Sequence, residues 1–218
     1  MDLKWEGIIM KCFMNDIDKD TVVGFDLDGT IYDEFEFIAQ AYISIAEIIS
    51  YNLNMEKSCI YERLCMEWLR YGSSFNIFQK VIGEELSNQN PQLIKECIRS
   101  YRKTNFKLKL SVRAEIILET LVKTGCELFI VTDGDRELQR KKIDALGLMR
   151  WFTPNNIAIS GDYGRDVQKP STYMATKISA LKTPKKKVMF LGDRYVDWQF
   201  ANNCGFEFYK IKNMIECG

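Results

Sequence analysis

Apolar and polar positions along this chain of 218 residues follow two alternating patterns. Short runs that are almost entirely apolar predict buried β-strands, and stretches with apolar residues three and four positions apart predict amphipathic helices. The predicted strands are residues 21–26, 126–132, 157–160, 187–193 and 206–211. The helices predicted between them are residues 112–123, residues 135–146 and a helix after Pro170. Strands alternating with helices are typical of a mostly parallel sheet with right-handed crossover connections.

One long stretch between the first two strands has helical periodicity alone. It opens with EFIAQAYISIAEIISYNL, and further helices are predicted over residues 55–71, 75–86 and 91–103. We therefore predict an α/β protein with a Rossmann-like, three-layer core and a mostly parallel sheet, interrupted by an insertion of four helices. The core would comprise residues 1–33 and 109–218, and the insertion residues 34–108.

Composition narrows the class of protein. Thirty basic residues balance thirty acidic ones, so no overall field draws the chain to nucleic acid or to an anionic membrane, and we expect neither as a partner. Seven cysteines without a C-x-x-C pair favour free thiols in a cytoplasmic protein. The chain has no histidine, so the commonest zinc ligand and the usual base of serine and cysteine hydrolases are both missing.

Polar residues follow each of the strands predicted most clearly. In chain order they are Asp26 and Asp28, Thr132 and Asp133, and Asp193 and Asp197. Taken singly, each aspartate fits a helix cap or a turn. Ligands of parallel sheets bind at the carboxyl ends of the strands, so together these residues predict at least three carboxylates in one crevice, which a cation must neutralise. Oxygen ligands in that number suit Mg²⁺ rather than zinc.

Four segments resemble, in order, the motifs of the haloacid dehalogenase superfamily. DLDGTIYD is similar to its Asp-x-Asp-Gly-Thr signature, LFIVT to its second motif, QKPSTY to its third and VMFLGDRYVDWQFANNCG to its fourth. VTDGDRELQRKKIDALGLMRWF resembles the phosphatase-like branch. The resemblance spans residues 22–205 and implies that the insertion is a helical cap of the first type.

The resemblance implies roles for particular residues. Asp26 would attack phosphorus and form an aspartyl-phosphate, and Asp28 would serve as general acid and base, with its pKa raised by the surrounding negative charge. Thr132 would bind the transferring phosphoryl group, and Lys169 would offset its charge. Asp26, the backbone carbonyl of Asp28 and Asp193 would hold Mg²⁺, while Asp197 would bind the metal or orient water or Lys169.

Three further residues are predicted to bind the substrate. Gly29 and Thr30 would turn the chain sharply after the first strand and expose backbone N–H groups toward phosphate. Asp133 would take part as well, although beside Gly134 it also fits a turn former. In the cap, Arg70, Tyr71 and Phe75 are candidates to contact the substrate.

The predicted function is the Mg²⁺-dependent hydrolysis of a small phosphomonoester metabolite, such as a sugar, polyol or nucleotide phosphate. A phosphosugar mutase remains an alternative, although such mutases use a cap histidine that this chain lacks. Dehalogenation ranks below both, because Asp28 is absent from the dehalogenases of this superfamily. A binding protein without turnover is the alternative from another class. The sequence does not indicate the oligomeric state.

Overall fold

The computed structural model of the protein describes residues 17–73, 76–183, 187–211 and 214. The candidate cap residue Phe75 lies outside these residues. The chain packs as two compact units, one formed by Met1–Glu34 and Leu108–Gly218 and the other by Phe35–Lys107. In the described part of the chain, no helix has both the length and the apolar composition that crossing a bilayer requires.

The first unit is built on a five-stranded sheet. Its strands are β1 (Thr21–Phe25), β2 (Glu127–Thr132), β3 (Ile157–Ile159), β4 (Lys187–Gly192) and β5 (Glu207–Lys210). They are all parallel and lie in the order β3-β2-β1-β4-β5. The prediction of an α/β fold with a mostly parallel sheet is confirmed. β1 is buried along its whole length in the middle of the sheet, as an apolar strand with helices on both faces should be.

Among the described residues of this unit, three α-helices connect or follow the strands, and local residues fix where they begin and end. They are α6 (Val112–Lys123), α7 (Arg136–Ala145) and α8 (Tyr195–Cys204). The side chains of Ser111 and Asp135 accept hydrogen bonds from backbone N–H groups in the first turns of α6 and α7, as helix caps do. α8 ends at Cys204, and Gly205, which follows it, has a left-handed backbone.

The segment after Pro170 differs from its prediction. Instead of one α-helix it forms two 3₁₀ segments, Thr172–Lys177 and Ser179–Leu181. Met174, Ile178 and Ala180 are buried in the core of the sheet unit. Their spacing is close to helical, but the turns are the tighter 3₁₀ type, and side-chain spacing does not distinguish short segments of the two kinds.

The second unit is entirely helical over its described residues. It contains α1 (Glu34–Leu53, whose first residue belongs to the sheet unit), α2 (Lys57–Tyr71), α3 (Ile77–Ile82), α4 (Glu84–Gln89) and α5 (Pro91–Lys103). The predicted helix over 75–86 is therefore two helices, and the described insertion holds five helices rather than four. The break is at Gly83, whose φ of 97° is left-handed and cannot continue an α-helix.

Candidate active site

Neighbouring strands bring the predicted site residues to one edge of the sheet. Phe25 of β1 pairs with Ile130 of β2 and with Leu191 of β4, so the three strands end within a few residues of one another. Asp26 and Asp193 directly follow β1 and β4, and Thr132 is the last residue of β2. The expectation that they meet at the carboxyl ends of the strands rested on this parallel pairing.

Asp26 is a fully buried carboxylate whose two oxygens have different surroundings. Oδ1 lies 2.5 Å from the ammonium nitrogen of Lys169, whose side chain is also completely buried. Oδ2 is buried and has no hydrogen-bond partner among the described residues. Burial raises the pKa of Asp26 to about 7, although Lys169 acts in the opposite direction. A buried carboxylate oxygen without a donor is costly, and a cation is the usual compensation.

Lys169 is held between two carboxylates. Its ammonium nitrogen also bonds Oδ1 of Asp197, which is completely buried. Burial alone would lower the pKa of Lys169, but the two carboxylates hold it above its ordinary value, so Lys169 stays charged. The other oxygen of Asp197 accepts the backbone N–H of Arg194 at 3.0 Å and fixes the first turn of α8. One oxygen of Asp197 thus contacts Lys169 and the other the backbone at the start of α8.

Gly192 makes room for Asp197. A Cβ at position 192 would lie 2.4 Å from the Cβ of Asp197, a distance that real structures do not show. The bare backbone at the end of β4 thus allows the Asp197 side chain to reach Lys169 inside the core.

Oxygens of Asp26, Asp193 and Asp197 lie within 4.8 Å of one another. Burial raises the pKa of Asp193 to about 6, against the opposing effect of Arg194. The donor set consists of oxygen only and includes the unpartnered Oδ2 of Asp26, so these residues fit a hard divalent cation such as Mg²⁺. The hydroxyl of Thr30 lies 3.5 Å from Oδ1 of Asp193, at the limit of a hydrogen bond.

The turn after β1 brings this cluster together. Gly29 has a φ of 77°, and a Cβ there would lie 2.7 Å from Oδ2 of Asp193. Both the left-handed backbone and the close approach of Asp193 therefore require glycine at this position.

Arg194 is a cation that the sequence reasoning did not single out. Its guanidinium nitrogens lie 3.9 Å from Oδ1 of Asp26, 4.0 Å from Oδ1 of Asp193 and 3.8 Å from Oδ2 of Asp197. Its Nε is buried without a hydrogen-bond partner among the described residues, while the side chain as a whole is 38% exposed. Arg194 thus offsets part of the negative charge of the cluster.

Asp28 lies in a separate, well-satisfied environment. Its Oδ1 is 2.6 Å from the ammonium nitrogen of Lys142 and accepts a hydrogen bond from the hydroxyl of Tyr32, and its Oδ2 is 2.7 Å from Nε2 of Gln139. Burial favours the neutral acid, but Lys142 and the three hydrogen bonds outweigh it and hold the pKa of Asp28 below its usual range. The prediction of a raised pKa is therefore wrong, because it counted the acidic neighbours and not this lysine.

Thr132, the last residue of β2, and Asp133, which follows it, are the remaining predicted substrate residues. Thr132 is buried, and its hydroxyl oxygen lies 2.7 Å from Nε2 of Gln139. Asp133 accepts the backbone N–H of Lys169 at 3.2 Å, which fastens the Lys169 segment to the end of β2. Burial raises the pKa of Asp133, with Lys169 opposing the shift.

In the helical unit, Arg70 and Tyr71 are both exposed. The ammonium nitrogen of Lys80 lies over the Tyr71 ring, 3.7 Å from its centre. Elsewhere in the unit a pocket of about 210 Å³ is lined by Ile38, Tyr42, Ser73, Asn76, Ile77, Phe78, Gln79, Ile98 and Tyr101. Neither candidate residue lines it.

Comparison with known proteins places this site in a family. The sequence model described as haloacid dehalogenase-like hydrolase matches residues 23–211. The chain is similar to a protein of Caldanaerobacter subterraneus named "Putative pyrophosphatase PpaX", with 22% identity over 89% of this chain and 82% of that protein. Among solved structures, it is similar to a HAD phosphatase from Thermococcus onnurineus, with 25% identity, a TM-score of 0.59 and coverage of 91% and 89% of the two chains.

A third comparison supports the fold alone. A HAD-superfamily hydrolase from Geobacter sulfurreducens has 15% identity, a TM-score of 0.60 and coverage of 90% of this chain and 94% of its own. The family match is the stronger finding, since it extends from within β1 to the residue after β5 and so contains every site residue described above. The chain therefore belongs to the haloacid dehalogenase-like hydrolases, and the prediction of a hydrolase of this superfamily is confirmed.

Proposed function

We propose that this protein is a Mg²⁺-dependent phosphatase that hydrolyses a small phosphomonoester in the cytoplasm through an aspartyl-phosphate on Asp26. The observation that carries the proposal is the Asp26 carboxylate itself. It is completely buried at a strand end, is bonded on one oxygen to Lys169 and is unpartnered among the described residues on the other. In its ionised form, which a bound cation would favour, the Asp26 carboxylate can attack phosphorus directly.

In the first step, an oxygen of Asp26 forms a bond to phosphorus, and the ester P–O bond breaks with its electron pair on the leaving oxygen. Lys169, 2.5 Å from Asp26, offsets the charge of the nucleophile and of the phosphoryl oxygens. Thr132 would donate its hydroxyl hydrogen to one of these oxygens. Phosphoryl transfer depends mainly on such positioning and charge stabilisation.

Asp28 would act in both steps. It would protonate the leaving oxygen and then take a proton from the water that attacks the phosphorus of the aspartyl-phosphate, which releases inorganic phosphate and restores the Asp26 carboxylate. The contacts of Asp28 with Lys142, Tyr32 and Gln139 favour its ionised form, which the second step requires. For the first step Asp28 would have to take up a proton against these contacts, and only an ester with a poor leaving group requires this.

Asp26 and Asp193, with the backbone carbonyl of Asp28, would hold Mg²⁺. When bound, the ion supplies positive charge that neutralises the carboxylates and the phosphoryl oxygens. Asp197 would support the site by orienting Lys169, since both of its oxygens already have donors.

The substrate would be a small phosphorylated metabolite. The T. onnurineus structure is described as a phosphatase and the PpaX relative as a pyrophosphatase, and both descriptions concern the removal of phosphoryl groups. The helical unit would determine the specificity for the leaving group of the substrate, while residues of the sheet unit would catalyse phosphoryl transfer.

Release of p-nitrophenol and of inorganic phosphate from p-nitrophenyl phosphate, with Mg²⁺ or with excess chelator, tests the proposal. Asp26→Asn should reduce turnover at least a hundredfold, because a carboxamide is a poor nucleophile. Asp18→Asn is the matched control, since Asp18 precedes β1 at the opposite end of the sheet and bonds Thr21. An Asp26→Asn variant that keeps more than about a hundredth of the wild-type rate would contradict the covalent mechanism, and full activity in chelator would contradict the role of the metal.

A further inference from the structure

Helix α7 carries two polar side chains that point into the protein instead of into solvent. Gln139 and Lys142 are three residues apart, so they share one face of the helix. Each is only 2% exposed, although the neighbouring Lys141 and Arg140 are exposed. Lysine is almost never fully buried unless it is paired.

Both side chains end on the same carboxylate. The ammonium nitrogen of Lys142 lies 2.6 Å from Oδ1 of Asp28, and Nε2 of Gln139 lies 2.7 Å from Oδ2. The Tyr32 hydroxyl also donates to Oδ1, so both oxygens have donors, and Gln139 is the donor to Oδ2. Donors on both oxygens fix the rotation of the carboxylate about its last bond as well as its position.

Gln139 also connects Asp28 to a second predicted site residue. Its Nε2 lies 2.7 Å from the hydroxyl oxygen of Thr132 and 3.3 Å from the backbone carbonyl oxygen of Asp133. One amide group therefore sets the spacing between the acid/base carboxylate and the threonine expected to bind phosphate. Buried ion pairs contribute little net stability, so stability alone does not account for a buried lysine at this place.

We propose that Lys142 and Gln139 are positioning residues that hold the Asp28 carboxylate, relative to Thr132, in the orientation needed to take a proton from the water that hydrolyses the aspartyl-phosphate. This inference rests on the proposed function. It assigns the two residues to the second step above all, since an ester with a good leaving group needs no acid to form the phosphoenzyme but still needs a base to hydrolyse it.

Rapid-mixing kinetics with p-nitrophenyl phosphate and Mg²⁺ separate the two steps. In Lys142→Met, steady-state turnover should fall about a hundredfold, the scale expected when a catalytic group is misplaced. Release of p-nitrophenol should then begin with a burst approaching one equivalent per enzyme, since the phosphoenzyme accumulates. Lys141→Met is the matched control, an exposed lysine on the same helix, and should behave as the wild type does. Lys142→Arg should restore part of the steady-state rate.

A double variant tests whether Lys142 acts through Asp28. Asp28→Asn combined with Lys142→Met should be no slower than Asp28→Asn alone, whereas independent roles would multiply the two losses. A folded Lys142→Met variant with the wild-type rate and no burst would overturn the inference, as would a fully multiplicative double variant. If Lys142→Met does not fold, Gln139→Met makes the same test without removing a charge. A wild-type protein that hydrolyses no phosphate ester would instead refute the proposed function.

Discussion

Replacing Gly29 by alanine tests whether the turn after β1 places Asp193 as a metal ligand. The new Cβ would lie 2.7 Å from Oδ2 and 3.0 Å from the carboxyl carbon of Asp193, so the carboxylate has to move. We expect Mg²⁺ affinity to fall at least tenfold, which corresponds to about 1.4 kcal/mol. At a Mg²⁺ concentration of about 100 times the wild-type Kd, the ion should stabilise the wild type by about 2.7 kcal/mol and Gly29→Ala by about 1.4 kcal/mol.

Gly205→Ala separates displacement of the ligand from backbone strain. Gly205 has nearly the same conformation, with a φ of 74° against 77°, but a Cβ there would meet no described atom within 4 Å. Both variants should lose about 1–2 kcal/mol of unfolding free energy from the left-handed backbone, as measured by urea unfolding in chelator. Only Gly29→Ala should also lose stabilisation by Mg²⁺. Equal Mg²⁺ stabilisation of the two variants would refute the placement of Asp193 as a ligand.

Three further outcomes are expected. In chelator, the free energy of unfolding should decrease as the pH rises from about 4 to about 7, because the pKa of Asp26 is about 7 in the folded protein but about 3.8 in the unfolded chain. Urea unfolding at pH 5 and pH 8 measures this decrease, and saturating Mg²⁺ should reduce it. Arg194→Met should tighten Mg²⁺ binding at least threefold in calorimetric titrations, because it removes a competing cation within 4.0 Å of the carboxylates of Asp26, Asp193 and Asp197. An unchanged affinity would show that Arg194 does not compete with Mg²⁺. Tyr71→Ala should lower kcat/KM for a metabolite substrate about tenfold while p-nitrophenyl phosphate is little affected, and an equal loss for both substrates would exclude a role of Tyr71 in selectivity.

The meeting of the predicted site residues was predictable because it depends on chain order and parallel pairing. Thr132 ends an apolar strand and Asp26 and Asp193 directly follow one, and parallel pairing necessarily brings the carboxyl ends of such strands together. The residues that contact Asp28 and Thr132 from helix α7 were not predictable from chain order. Lys142 and Gln139 lie in RELQRKKIDA, where polar residues occupy every face of the predicted helix, so nothing in the periodicity marks the two that are buried.

Errors in the secondary structure have a similar cause. The helix break at Gly83 and the 3₁₀ turns after Pro170 depend on how short segments pack, and apolar spacing does not encode this. The lowered pKa of Asp28 is the same kind of error at the site, because it depends on a lysine far away in the sequence. Arg194, in contrast, lies inside the fourth motif, and its position between Asp193 and Asp197 in the sequence already indicated a cation close to these carboxylates.

The central position of β1 has a consequence for how the protein is made. β1 pairs with β2 on one side and with β4 on the other, and β4 begins only at Lys187 whereas β1 ends at Phe25. During synthesis, a strand with no exposed side chain therefore keeps one hydrogen-bonding edge open until β4 has also left the ribosome. The nascent chain is expected to depend on chaperones over that interval, and fragments that end before Lys187 should aggregate.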